Sequence, residues 1–213
     1  MKYVIGGMKY SLAKTRTSVN FAIYLANIKK RKVLLVDADP SECATEYIRW
    51  RNENSNIDNL SSIQVTGVSL KTEVAKLEDK FDDIVIDSGI GENLELSLQL
   101  ADKLIVPFSA KDLGLWTVWT LTNIETMIEK VLDTNSDIKA YSFFVTQKDN
   151  VDEYTDIIKT LEKSQYLEFL NSTTLARTMF GSEDPSLRTL KDMKEIKSTV
   201  SPQVIEIFDD ISS

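Results

Sequence analysis

Short apolar runs punctuate the chain, and each stops at an acidic or turn-forming residue. Lys2-Tyr3-Val4-Ile5 halts at Gly6-Gly7, Val33-Leu34-Leu35-Val36 at Asp37, Ile84-Val85-Ile86 at Asp87, and Leu104-Ile105-Val106 at Pro107. A continuous run without alternation marks a strand buried on both faces, which is the habit of parallel sheets. Between the runs lie stretches with helical spacing. The first covers residues 14–30, where Val19, Ala22, Ile23 and Ala26 share one face and Lys29, Lys30, Arg31 and Lys32 crowd the C-terminal end. Further helices are predicted at 44–52, 70–80, 94–101, 115–131 and 152–164, with strands at 63–65, 140–145 and, weakly, 166–170. Helices near 175–180, 186–196 and 202–211 close the chain. Strands alternating with helices predict an α/β fold, doubly wound, with a mostly parallel sheet flanked by helices. No Pro-, Ser- or Gly-rich linker interrupts the 213 residues, so a single domain over 1–213 is expected.

Composition narrows the chemistry. The chain has no histidine and one cysteine, Cys43. Ser-His-Asp and Cys-His nucleophile schemes, His-ligated metal sites, internal disulfides and thiolate zinc clusters are therefore excluded. A single cysteine fits a reducing, cytoplasmic setting. The net charge of -8 argues against a surface coated in basic groups for nucleic acid. No apolar run approaches the ~20 residues of a membrane span, and no signal-peptide core opens the chain. Glycine is scarce, with 7 in 213 residues, roughly half the usual ~7% share.

In doubly wound folds, ligands bind beyond the carboxyl ends of the strands. Polar groups gather at such ends at 8–15, 37–40 and 87–91. Lys14-Thr15 fall where the first helix is predicted to begin. A helix N-terminus offers unpaired N–H groups and the positive end of the dipole, so it favours phosphate. A lysine there can reach β- and γ-phosphate oxygens, and a threonine hydroxyl can ligate Mg²⁺. Alone, a Lys-Thr pair is a weak signal, because a solvated first turn looks the same. Asp37 and Asp39 follow a buried strand and straddle the turn into Pro40. One can act through a magnesium shell while the other orients an attacking water. Asp87 ends the run Phe81-Asp82-Asp83-Ile84-Val85-Ile86, the Walker B pattern in which a carboxylate holds magnesium through water. Strand-end capping is the plain alternative for each acid.

Taken together, these blocks resemble the ParA/MinD family of deviant Walker ATPases. Lys14-Thr15-Arg16-Thr17-Ser18-Val19-Asn20-Phe21-Ala22 is similar to that family's Lys-Thr-Thr-Thr-x-Val-Asn-Leu-Ala helix start. Val33 to Pro40 matches its second motif almost residue for residue, and Phe81 to Asp87 matches its Walker B strand. Ala101 to Pro107, Asp112-Leu113 and Thr173–Arg177 resemble later segments. The resemblance implies a dimerising ATPase that positions cellular cargo, most plausibly in plasmid or chromosome partition. It implies ATP and Mg²⁺ as cofactors, a nucleotide-dependent homodimer and a partner protein that stimulates hydrolysis. It also implies nonspecific DNA as a ligand of the dimer; membrane binding belongs to another branch. By position, Lys14 contacts the β/γ-phosphates within a cradle formed by Lys9, Tyr10, Ser11, Leu12, Ala13, Lys14, Thr15 and Arg16. Thr15 ligates Mg²⁺, supported by Asp37 and Asp87. Asp39 orients the water, and Lys9 crosses the dimer to the partner's phosphates.

The chain departs from the family in its loop. Where the family reads Gly-Lys-Gly-Gly-x-Gly-Lys-Thr, this sequence reads Met8-Lys9-Tyr10-Ser11-Leu12-Ala13-Lys14-Thr15. Both lysines and the threonine remain, and every glycine position carries a side chain. A non-glycine residue forced into the left-handed region costs roughly 1–2 kcal/mol. Gly6-Gly7 fall too early to repair the motif. Two readings follow: an ATPase that keeps nucleotide binding through Lys9, Lys14, Thr15, Asp37, Asp39 and Asp87, or a non-hydrolysing relative that scaffolds partners in partition, conjugative transfer or secretion. The Walker B sequel, Ser88-Gly89-Ile90-Gly91, also differs from the family's Thr-Pro-Pro-like turn.

Secondary candidates complete the reading. Arg177, Arg188, Lys191, Lys194 and Lys197 are the basic residues available for DNA, with Asp192 and Glu195 interleaved. Trp116 and Trp119 are read as core or interface packing. Residues 146–150 are read as the wall facing the base. The C-terminal stretch Val204–Ser213 carries Glu206, Asp209 and Asp210 without Lys or Arg, which disfavours a basic membrane-binding tail.

Overall fold

The computed structural model describes residues 1–8, 12–54, 59–109, 115–146, 155–175 and 202–213. Its strands are β1 (Lys2–Ile5), β2 (Val33–Ala38), β3 (Leu60–Gln64), β4 (Asp83–Ser88), β5 (Lys103–Ser109), β6 (Lys139–Thr146) and β7 (Leu167–Leu175). They form one seven-stranded sheet in the order β3-β2-β4-β1-β5-β6-β7, and every pairing is parallel. The helices are α1 (Leu12–Asn27), α2 (Cys43–Asn54), α3 (Ser69–Leu77), α4 (Glu92–Leu98), α5 (Leu115–Leu132), α6 (Thr155–Leu161) and α7 (Pro202–Ser212). The doubly wound α/β expectation holds, with the sheet parallel throughout.

Side-chain alternation along the strands builds a core on each face of the sheet. One face sets Tyr3, Ile5, Leu35, Val85 and Ile105 against α1, α2 and α7. The other sets Val4, Leu34, Val36, Ile86 and Leu104 against α3, α4, α5 and α6. Both cores explain why the strand sequences read as unbroken apolar runs. Helix α7 covers α1 with its apolar stripe. Phe208 makes an edge contact with Phe21 at 5.0 Å between ring centroids and a tilted one with Tyr24 at 5.4 Å. The buried Lys103 ammonium donates to the Ile211 carbonyl at 2.7 Å, which satisfies an orphan oxygen at the end of α7.

Several boundaries differ from expectation. Helix α1 begins at Leu12 and ends at Asn27; the basic run after it lies in the connection to β2. The predicted 70–80 helix is α3 followed by a 3₁₀ turn, Glu78–Lys80. Strand β5 continues through Pro107 to Ser109. Proline is tolerated there because β1 has already ended at Ile5, leaving only β6 as a paired neighbour. Strand β7 extends to Leu175 where a helix was expected to start, after a register slip opposite Ser142 and Phe144. Residues 176–180 and the predicted 186–196 helix lie outside the described residues. Of the two packing roles expected for Trp119, core and interface, its 45% exposure removes the first.

Candidate functional site

Helix α1 points its N-terminus at the carboxyl ends of β4 and β2, and the first turn carries Lys14 and Thr15. Lys14 is 3% exposed. Its Nζ donates to the carbonyl oxygens of Ser88 at 3.3 Å and Gly89 at 3.4 Å. Among the described residues, no carboxylate stands within ion-pair distance of it. Burial lowers the affinity of this amine for its proton, and the charges of Asp87 and Asp39 oppose that effect. Gly7 lets the lysine stem pass, since a Cβ there would stand 3.2 Å from Lys14 Cδ. An ammonium held by two neutral carbonyls is compensated in geometry but not in charge, and it sits where an anion meets a helix N-terminus.

Asp37 and Asp87 are partners in register across β2 and β4. Their side chains therefore lie side by side on the α1 face of the sheet. Their surroundings differ sharply. Both oxygens of Asp37 accept backbone amides: Oδ1 from Asp39 at 3.2 Å, and Oδ2 from Thr45 in the first turn of α2 at 2.9 Å. Burial raises its pKa, and those amides pull it back. Asp87 is 1% exposed and accepts the Ser18 hydroxyl on Oδ1 at 2.8 Å. Among the described residues, no donor stands at hydrogen-bond distance from its buried Oδ2. Burial pushes the Asp87 carboxyl up to about 7, against the stabilising pull of Ser18, the nearby Thr15 hydroxyl and Lys14. Asp39 lies in the turn after β2, where Oδ1 accepts the Ser41 amide at 2.9 Å.

The structure thus gathers Lys14, Thr15 and the three aspartates at one end of the sheet. Asp37 is engaged as a structural acceptor that fixes the β2–α2 connection. Leu12 opens α1, Ala13 is half-buried in its first turn, and Arg16 is half-buried one turn on. Lys9, Tyr10 and Ser11 lie outside the described residues, as do Asp112-Leu113, 147–150 and the late basic residues from Arg177 to Lys197. Ser18 is absent from the candidates read from sequence. The available signal was its place one turn after Lys14 on the buried side of α1. The carbonyls of Ser88 and Gly89 left no trace in sequence, because every residue has one.

A buried carboxylate oxygen without a donor, next to a threonine hydroxyl at a helix N-terminus, suits a hydrated magnesium ion. Mg²⁺ keeps several waters and takes few protein oxygens. Among the described residues, no group of three or more acidic, histidine or cysteine side chains forms a self-sufficient metal cage. No described helix is long and apolar enough to cross a membrane.

An all-parallel doubly wound sheet with a lysine-bearing helix start and strand-end aspartates at one end defines the P-loop nucleotide-hydrolase type of fold. Within that type, the chain belongs to the CobQ/CobB/MinD/ParA nucleotide binding domain family (CbiA), whose model matches residues 3–211. It is similar to a plasmid partition protein from Borrelia burgdorferi bound to AMPPNP, at 21% identity and TM-score 0.66, covering 98% of each chain. It is similar to apo McdA from Cyanthece at 16% identity and TM-score 0.72, covering 100% of this chain and 99% of that one. A third similar structure is cobyrinic acid a,c-diamide synthase from Mycobacterium smegmatis with bound ATP analog and magnesium. It shares 20% identity at TM-score 0.69, covering 98% of this chain and 92% of that one. At these identities the likeness speaks for the fold. Comparison with curated protein sequences finds no match.

Proposed function

We propose that this chain is a ParA-like, Mg²⁺-ATP-dependent dimerising ATPase that positions cargo in plasmid or chromosome partition. The observation that carries the reading is Lys14. A buried ammonium at a helix N-terminus, with two carbonyls as its hydrogen-bond partners among the described residues, is a cation arranged for an anionic ligand. The nucleotide-bound structures of the Borrelia partition protein and the Mycobacterium synthase support the choice of ligand.

The residues divide the work by their surroundings. Lys14 leaves the Ser88 and Gly89 carbonyls for the β/γ-phosphates, and the first amides of α1 add partial positive charge. Thr15 and Asp87 are the residues that would hold the magnesium ion. Magnesium, when bound, neutralises phosphate charge. Asp39, held by the Ser41 amide, orients the water that attacks the γ-phosphorus. The bond from that phosphorus to the β-phosphate oxygen breaks, ADP leaves, and the water's proton departs with phosphate. Asp37 supports this arrangement by fixing the turn that carries Asp39. Lys9 reaches the partner subunit's phosphates in the dimer.

Titration calorimetry of the folded chain with ATP and magnesium tests the reading. Binding accompanied by dimer formation in sedimentation is expected. Absence of heat at millimolar nucleotide would overturn it. The alternative, a non-hydrolysing scaffold, draws on the glycine-free loop and on the fact that Lys14 already has hydrogen-bond partners without nucleotide. It requires an oligomer that forms equally well without ATP.

A further inference from the structure

We propose that Ser18 is a positioning residue that aims the Asp87 carboxylate, reserving Oδ2 for the hydrated magnesium ion. The inference rests on the nucleotide-binding reading above and deepens it. Ser18 is fully buried on the sheet-facing side of α1. Its Oγ lies 2.8 Å from Asp87 Oδ1 and 3.0 Å from the Lys14 carbonyl oxygen. The hydroxyl has one proton. A serine inside a helix ordinarily donates it back to the carbonyl four residues earlier, which slightly loosens the helix. Here a carboxylate 69 residues away stands closer, and in its ionised form it is the stronger acceptor.

The consequence lies in the two carboxylate oxygens. A buried carboxylate with no fixed donor can turn about its terminal bond and exchange its oxygens. Ser18 removes that freedom by holding Oδ1 against α1. Oδ2 is then the oxygen left over, with no hydrogen-bond donor among the described residues. Asp37, its neighbour in register, offers nothing comparable, since both of its oxygens are held by amides. The same helix turn meets β4 a second time, through Lys14 and the carbonyls of Ser88 and Gly89. The start of α1 is therefore registered on the end of β4 by two side chains, Lys14 and Ser18, both anchored on Asp87 and its immediate successors.

The test uses the full chain and a fluorescent ADP analogue, titrated with magnesium. Ser18→Ala and Ser18→Cys should each raise the magnesium concentration for half-maximal nucleotide binding about tenfold, the scale of lost supporting hydrogen bonds at metal sites. Affinity measured without magnesium should stay within about twofold. Cysteine keeps the volume and loses the strong donor, so agreement between the two variants separates the hydrogen bond from packing. Ser18→Thr, which keeps the hydroxyl, should recover most of the magnesium response. An unchanged magnesium requirement in folded Ser18→Ala, or equal losses with and without magnesium, would overturn the proposal. If the wild-type chain binds no nucleotide, the function proposed above fails. The Ser18 assignment is then decided without ligand by a double-mutant cycle in denaturant. Non-additive losses for Ser18→Ala and Asp87→Asn support it, and additive losses sink it.

Discussion

The Nζ of Lys14 lies 3.3 Å from the carbonyl oxygen of Ser88, the residue that follows Asp87 at the end of β4. The lysine thus reaches across to the strand that carries the acid without pairing with the acid itself. Its hydrogen bonds are to neutral groups, and a phosphate offers it a far stronger partner. Lys14→Ala should weaken ATP binding about 100-fold, or ~2.7 kcal/mol, while leaving the far-ultraviolet circular dichroism of the chain unchanged. Calorimetry on the folded variant measures it; unaltered affinity would remove Lys14 from the phosphate site.

Asp37 and Asp39 are two residues apart and should fail in different ways. Asp37→Ala strands two amides, those of Asp39 and Thr45, in a buried setting. A loss of about 2 kcal/mol or more in denaturant stability is expected. Asp39→Ala removes one acceptor, for the Ser41 amide, and should cost about 1 kcal/mol. Its main effect should be on turnover, which should fall about 100-fold with ATP binding changed by less than about threefold. A variant order in which Asp39→Ala unfolds the chain and Asp37→Ala spares it would contradict both assignments.

Asp87 gives a pH dependence with a definite sign. Its carboxyl is raised from 3.8 to about 7 in the folded, metal-free chain by burial. Between those values the folded state holds a proton that the unfolded state has released. Stability contributed by the protonated group is therefore present at low pH and lost as pH rises through about 7. Asp87→Asn abolishes this slope. The gap between variant and wild type should widen in the variant's favour by up to about 4 kcal/mol from pH 4 to pH 7. Denaturant titrations of both proteins across that range, without magnesium, provide the comparison; parallel curves would refute it.

Gly89 is confined by backbone. A Cβ there would lie 3.0 Å from the Ala38 carbonyl oxygen and 3.3 Å from the side chain of Asn93, whose Oδ1 accepts the Gly67 amide. Gly89→Ala should destabilise the chain by about 1–3 kcal/mol and weaken ATP binding as well, since the Gly89 carbonyl helps to place Lys14. Differential scanning calorimetry tests the first effect. A stability change within experimental error would mean that Ala38 can move aside.

Some of this architecture was legible before any coordinates. The runs at Val33–Val36 and Ile84–Ile86 carry no polar residue because both faces of β2 and β4 are covered, so their type and parallel pairing could be read locally. Boundaries were less legible where a tertiary neighbour decides them. Strand β5 passes Pro107 only because β1 has ended beside it, and β7 reaches Leu175 by pairing with β6 after a register slip. Spacing left Trp119 open between core and interface packing, and only the fold shows it 45% exposed.

For the site, the sequence by itself determined the inventory: a lysine and threonine at a helix start, and acids at the ends of buried strands. It did so because residue type and short-range spacing are local properties. The tertiary structure alone decided which lone pairs are already taken. Asp37 and Asp87 read alike as strand-end acids, but folding gives one of them two amides and leaves the other an oxygen without a donor among the described residues. The donors responsible come from elsewhere in the chain. Ser18 reaches Asp87 from 69 residues away and Lys14 reaches Ser88 from 74. Hydrogen-bond satisfaction depends on distances of a few ångströms between such remote groups, and only the packed sheet and helices set those distances.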